Sequence, residues 1–218
     1  MTVRGMPHEC RLPFRLVPHP APPLPSLILL VRHGATEWSV TGQHTGRTDL
    51  PLTPLGVQQA ESASVVINHW LDGVEPVVYT SPLQRASHTA ALALPDFPAE
   101  EVPALMEYDY GQYEGLTTSE IYERDPQWNL FGGGCPGGEN ILQVGARCDS
   151  FIAKLERTCT GRAVVAFTHG HLSRILTARF LDIPASAAGG LWNDTASVAA
   201  INQHRGRLVL VGWNVTAL

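Results

Sequence analysis

Apolar and polar positions change period along this chain, and the changes mark its elements. Leu27 to Val31 is an unbroken apolar run, followed directly by Arg32-His33-Gly34. Such a run, bounded by a turn, predicts a strand buried on both faces. Thr36 to Leu52 is polar, contains Gly42 and Gly46, and reads as a long loop. Thr53-Pro54 then pairs a hydroxyl N-cap with proline at the first helical position. Val57, Ala60, Ala63, Val66 and Ile67 continue at helical spacing toward a stop at Asp72-Gly73. Pro76 to Thr80 predicts a second strand, and Ser81-Pro82 repeats the cap-and-proline start before a helix over Leu83 to Leu94. Strand, tight turn and helix, occurring twice, point to a parallel sheet with helices packed on it.

Asp96 to Gly138 breaks this rhythm. It is rich in glycine and proline, with short helical pieces such as Thr118 to Arg124. It reads as an insertion over the C-terminal edge of the sheet, a lid or specificity region. The regular pattern resumes with a helix from about Glu139 to Thr158, a strand over Ala163 to Phe167, the turn Thr168-His169-Gly170 and a helix from Leu172 to Leu181. Ser197 to Asn202 and Leu208 to Trp213, joined through Arg205-Gly206, read as a hairpin or adjacent strands. The expected fold is α/β: three αβα layers, a mainly parallel central sheet, and the inserted lid. Residues 1–25 carry seven prolines and read as an irregular, disordered arm, leaving 26–218 as a single domain.

Composition narrows the function classes. With 218 residues, 44% hydrophobic and 16% charged, the chain can bury a sizeable core. A net charge of -5 argues against a nucleic-acid binder. The apolar run at Leu27 is too short to span a bilayer or to serve as a signal segment, so no membrane partner is expected. The four cysteines, Cys10, Cys135, Cys148 and Cys159, lack CxxC spacing and read as free thiols. The acidic residues do not cluster with histidines at metal spacing, so no metal and no cofactor is expected. The expectation is a soluble cytoplasmic protein, monomer or homodimer.

The candidate chemistry collects at three predicted strand ends: Arg32-His33-Gly34, Ser81-Pro82-Leu83-Gln84-Arg85 and Thr168-His169-Gly170. Alone, Arg32-His33 reads equally as an ordinary polar strand end; a sheet would bring all three ends together. Two arginines and two histidines then suit a dianion, through forked guanidinium donation to phosphate oxygens. There is no GxSxG, P-loop or comparable cysteine turn, so histidine is the candidate nucleophile. His33 leads, because it shares a turn with Arg32; His169 would donate to phosphoryl oxygens. A leaving alkoxide needs a proton, and Glu107 is the first candidate acid, with Asp109 and Glu114 in competition.

These motifs resemble the histidine phosphatase superfamily, in the branch of cofactor-dependent phosphoglycerate mutases and their phosphatase relatives. The matching blocks, in order, are Val31-Arg32-His33-Gly34 with Thr36-Glu37-Trp38; Ser81-Pro82-Leu83-Gln84-Arg85-Ala86 with Thr89-Ala90; Leu105 and Glu107 with Tyr113-Glu114-Gly115; and Thr168-His169-Gly170. The loop from Glu37 to Gly46 also resembles acid-phosphatase-like and sedoheptulose-bisphosphatase-like members. The resemblance implies a phosphorylated His33, Glu107 as proton donor, and a phosphate pocket completed by Arg32, Arg85 and His169. It implies substrate contacts at Thr45, Gly46 and Tyr110, and at Ser39, where many relatives carry asparagine. Gly170 and His171 are expected substrate contacts as well. Trp38 is expected to face the substrate, and the other tryptophans to be packing residues. Between the family's two activities, hydrolysis is favoured over mutase activity. The segment after Glu107 has no lysine, and a second phosphate would want a second cation cluster. The substrate expected is a small phosphorylated metabolite. An inactive ligand- or partner-binding relative is the remaining alternative.

Overall fold

The first strand shows why the sheet lies between two helical layers. In β1 (Leu27–Arg32), Ile28 and Leu30 pack into one core cluster, and Leu29 and Val31 into another. Alternate side chains of a strand point to opposite faces, so both faces of this strand are covered. This computed structural model describes residues 24–217, so the arm reading and Cys10 lie outside the described residues.

In chain order, β1 is followed by α1 (Glu37–Thr41), α2 (Pro54–Leu71), β2 (Val77–Thr80), α3 (Gln84–Ala93), β3 (Ala99–Glu101), α4 (Thr118–Arg124), α5 (Ile141–Thr158), β4 (Ala163–Thr168), α6 (Gly170–Phe180), β5 (Val198–His204) and β6 (Arg207–Val215). The sheet order is β3-β2-β4-β1-β5-β6. The first four strands run parallel; β5 and β6 are antiparallel additions at the β1 side. One cluster draws on α2 and α3; the other draws on α5, α6 and the segment before α5. The three-layer expectation therefore holds, and β5 and β6 form the expected hairpin. Arg205 and Gly206, both at positive φ, make its turn.

Three differences from the sequence reading have local causes. The polar stretch after Thr36 is not all loop. Thr36 and Ser39 form a reciprocal capping box that starts α1. Within the stretch read as an insertion, Ala99–Glu101 adds the edge strand β3 beside β2. Ser81 does not cap α3, whose N-cap is Leu83 without a side-chain bond. Its hydroxyl is taken by His169 and the Leu83 N–H.

Gly34 has a structural duty. A Cβ there would lie 2.2 Å from the Gly56 carbonyl oxygen, and a Cβ on Gly56 would lie 2.1 Å from that of Ala35. The two glycines let the start of α2 meet the turn after β1 backbone to backbone. The close approach is to protein, not to ligand.

Candidate active site

Sheet register assembles the site. Arg32 pairs with Thr168, and Thr80 with Phe167, so His33, His169 and Ser81 are the next residues on three adjacent strands. The His33 N–H donates to the Thr168 carbonyl at 2.9 Å, and the Ser81 N–H to the Phe167 carbonyl at 2.9 Å. The His33 and His169 rings meet edge to face, 5.2 Å between centroids. His33 opens onto a cavity of about 200 Å³, whose lining also includes Arg32, Glu107 and Tyr110.

His33 is held in one tautomer. Its Nδ1 lies 2.7 Å from the Gly34 carbonyl oxygen, which can only accept, so Nδ1 carries the proton and Nε2 keeps a lone pair. Burial, then Arg85 and Arg32, push its pKa well below the usual histidine range. The ring is therefore neutral at neutral pH, the state a nitrogen nucleophile needs.

The two expected phosphate arginines divide their work. Arg85 is 0% exposed and spends its donors on protein. Its Nε donates to His169 Nδ1, Nη1 to the Thr48 carbonyl, and Nη2 to the carbonyls of Thr45 and Gly46. Arg32 keeps more donors unspent. Its Nη1 donates to the Asn193 carbonyl at 2.7 Å, whereas the buried Nε has no partner. The free fork is therefore Arg32's, and Arg85 supplies charge from behind the wall. His169 accepts from Arg85 through Nδ1 and must donate to Ser81 Oγ through Nε2, at 2.8 Å. Both of its nitrogens are engaged by protein, and burial and Arg85 push its pKa well below the histidine range.

Only one of the three candidate acids lines the cavity, Glu107. One oxygen accepts the N–H groups of Tyr108 and Leu172 at 2.9 Å, and the other that of His171 at 3.0 Å. The last two are unpaired donors at the start of α6, which explains how a residue between strands is fixed against the sheet's edge. Arg147 braces the same segment, donating to the carbonyls of Ala104, Met106 and Glu107 while paired with Glu139. Asp109 is used by the Gly111 N–H and Arg47. Glu114 accepts the Gly46 and Thr48 N–H groups, and so shapes the loop whose carbonyls grip Arg85.

Ser39, Thr45, Tyr110, Gly170 and His171 line the cavity as expected; Gly46 does not. Gly46 is buried, and a Cβ there would lie 2.5 Å from the Tyr108 carbonyl oxygen. Trp38 faces Gly115 and does not line the cavity. Trp192, expected to pack, stands 68% exposed on the rim beside Asn193. Arg174 is the main wall residue that sequence reasoning missed; it lies in α6, one turn past Gly170 and beyond the last matched motif residue. Among the described residues, no group of three or more His, Cys, Asp or Glu could hold a metal ion. No helix there is long and apolar enough to cross a membrane.

The histidine phosphatase superfamily (branch 1) matches residues 28–216, nearly all the described chain. The chain belongs to this family. It is 41% identical to an acid phosphatase of Mycobacterium tuberculosis over 78% of this chain and 83% of that protein. It is 36% identical to the sedoheptulose 1,7-bisphosphatase of Saccharomyces cerevisiae over 72% of this chain and 68% of that protein. A solved open-reading-frame product of Mycobacterium tuberculosis superposes with TM-score 0.83 at 37% identity, covering 88% of this chain and 98% of that one. As a histidine phosphatase with phosphatase relatives over most of its length, the protein is a phosphoric monoester hydrolase.

Proposed function

We propose that this histidine phosphatase cleaves phosphate monoesters of small metabolites through a phosphohistidine on His33. The observation that carries the assignment is the neutral ring with Nδ1–H tied to Gly34, which leaves the Nε2 lone pair beside Arg32 and Glu107. In the first step Nε2 forms a bond to phosphorus as the ester P–O bond breaks. Glu107 gives its proton to the departing alkoxide. Arg32 donates to the phosphoryl oxygens while Arg85 adds charge, stabilising a transition state whose charge spreads over those oxygens. The Gly34 carbonyl stabilises the phosphorylated, cationic ring through its Nδ1–H. Water then attacks phosphorus and gives a proton to Glu107, and the P–N bond breaks to release phosphate and neutral His33.

Thr45, Tyr110, Ser39, Gly170 and His171 are the proposed substrate-facing wall, and Gly46 acts through its carbonyl on Arg85. The insertion supports hydrolysis over transfer between two sites, since it brings Glu107, Tyr110 and Thr118 to the cavity but no lysine or arginine. The test is turnover of p-nitrophenyl phosphate without added bisphosphoglycerate, expected to be rapid. Fast interconversion of phosphoglycerates with no hydrolysis would make the protein a mutase. Tight binding of phosphate esters with neither reaction would make it an inactive relative.

A further inference from the structure

The segment that carries Glu107 has no hydrogen-bond ladder of its own. Pro103–Leu105 is a single 3₁₀ turn, and Met106 and Glu107 follow it outside any helix or strand. Backbone carbonyls left unpaired there would be costly. Side chains from elsewhere take four in a row. Arg147, on α5, donates through Nη1 to the Ala104 and Met106 carbonyls at 2.8 and 2.7 Å, and through Nη2 to that of Glu107 at 3.2 Å. Thr168 Oγ1 donates to the Leu105 carbonyl at 2.9 Å.

Glu139 holds the other edge of the same guanidinium. Arg147 Nε donates to its Oε1 at 2.8 Å, and Nη2 to its Oε2 at 2.9 Å. All five N–H donors of Arg147 are thereby engaged. Glu139 Oε2 also accepts the Asp109 N–H at 2.9 Å, and the Glu139 N–H donates to the Asp109 carbonyl at 2.9 Å. One ion pair therefore grips the chain on both sides of Glu107. Burial would raise the Glu139 carboxyl, but Arg147 and the Asp109 N–H hold it below the usual carboxylate range, so the pair stays charged at neutral pH. Neither member lines the cavity. The Glu107 carboxyl itself meets backbone N–H groups, those of Tyr108, His171 and Leu172, so its place follows the backbone that carries it.

We propose that the Arg147–Glu139 pair positions the proton donor, setting the reach from the Glu107 carboxyl to the oxygen of the departing alcohol. Proton transfer needs a heavy-atom separation of about 2.6–3.2 Å, and a misplacement of about 1 Å can cost about 10²-fold. A planar fork suits the task, because it fixes three carbonyls and a carboxylate in one plane; an ammonium group cannot. The proposal rests on the role of Glu107 in the hydrolytic reading above.

Leaving groups separate positioning from mere support of the fold. Values of kcat/KM read the steps up to departure of the alcohol, so the later attack by water does not enter. Arg147→Gln should lower kcat/KM by about 10- to 10²-fold on glycerol 3-phosphate and only a few-fold on p-nitrophenyl phosphate, whose leaving group needs no proton. Glu139→Gln should show the same pattern more weakly. Arg147→Lys returns the charge without the fork and should recover little. In a Glu107→Gln background, Arg147→Gln should cost nothing further on glycerol 3-phosphate. Equal losses on both substrates, full rescue by lysine, or additive losses in the double variant overturns the proposal. Amide exchange at His171 and Leu172, whose N–H groups donate to Glu107, reads the geometry without turnover. It should quicken by about tenfold or more in Arg147→Gln and Glu139→Gln, while amides of β4 stay protected. If Arg147→Gln does not fold, Glu139→Gln, which keeps the fork, carries both readouts. If the wild-type protein hydrolyses nothing and this exchange still quickens, the hydrolytic reading fails and the positioning role stands. Hydrolysis with unchanged exchange does the reverse.

Discussion

The floor of the cavity and its outer wall are built on different principles. At the floor, His33, Arg85 and His169 are buried, and each is oriented by backbone carbonyls or by another site residue. At the wall, His44 and the α6 residues His171 and Arg174 rest on aromatic neighbours, and Trp192 stands exposed on the rim. The floor has one arrangement because its polar groups are mutually spent. The wall keeps donors and rings turned to the cavity. Chemistry is fixed at the floor, and choice of substrate is left to the wall.

Substitutions at the floor should therefore cost rate on every substrate. Arg85→Ala removes the charge behind His33 and leaves the Thr45, Gly46 and Thr48 carbonyls without their donor. A loss of about 10³-fold in kcat/KM is expected, with a lower urea midpoint. Near-normal turnover would show that the floor is not preorganised through this residue. Glu107→Gln should cost about 10² to 10⁴-fold on alkyl phosphates and much less on p-nitrophenyl phosphate, whose leaving group needs no proton. Equal losses on both would remove Glu107 from the proton-transfer step.

Floor and wall share one liability, buried neutral histidine. Burial is the leading cause that holds His33, His169 and His171 well below 6.5, and His44 at about 4. The unfolded chain protonates these rings near pH 6.5, and the folded one does not. Stability is thus unaffected above that pH and lost as pH falls below it, down to about 4 for His44, with His33, His169 and His171 adding to the loss below pH 6.5. The slope is up to about 1.4 kcal/mol per pH unit for each such ring. A melting temperature that stays level from neutral pH to about pH 5 would contradict this. The smallest effect belongs to the rim: Trp192→Ala should alter KM by only a few-fold and leave the melting temperature unchanged. A loss of kcat there would blur the division between floor and wall.

The floor was legible in the sequence and much of the wall was not. Apolar runs ending in Arg32-His33, Ser81 and Thr168-His169 fix both the strands and the convergence of their ends, because parallel pairing leaves little freedom of register. Glu107 stood out as an acid in an irregular segment, but its fixation by the start of α6 depends on tertiary contact. The capping box of α1 was present as Thr36 and Ser39, hidden inside a polar stretch. Arg174 gave no signal, since an arginine within a helix is ordinary until the carbonyls of Ala188 and Gly189 turn it toward a cavity. Trp192 likewise owes its place to the segment pinned by Asn193 to Arg32 and by Asp194 to Asn214.

The phosphohistidine mechanism stands or falls on the atom that receives phosphorus. Rapid quenching during turnover of a labelled phosphate ester, followed by peptide mapping, should find an acid-labile, base-stable phosphoryl group on the imidazole of His33 and none in His33→Ala. Label on another side chain, or full hydrolysis by His33→Ala, would contradict it.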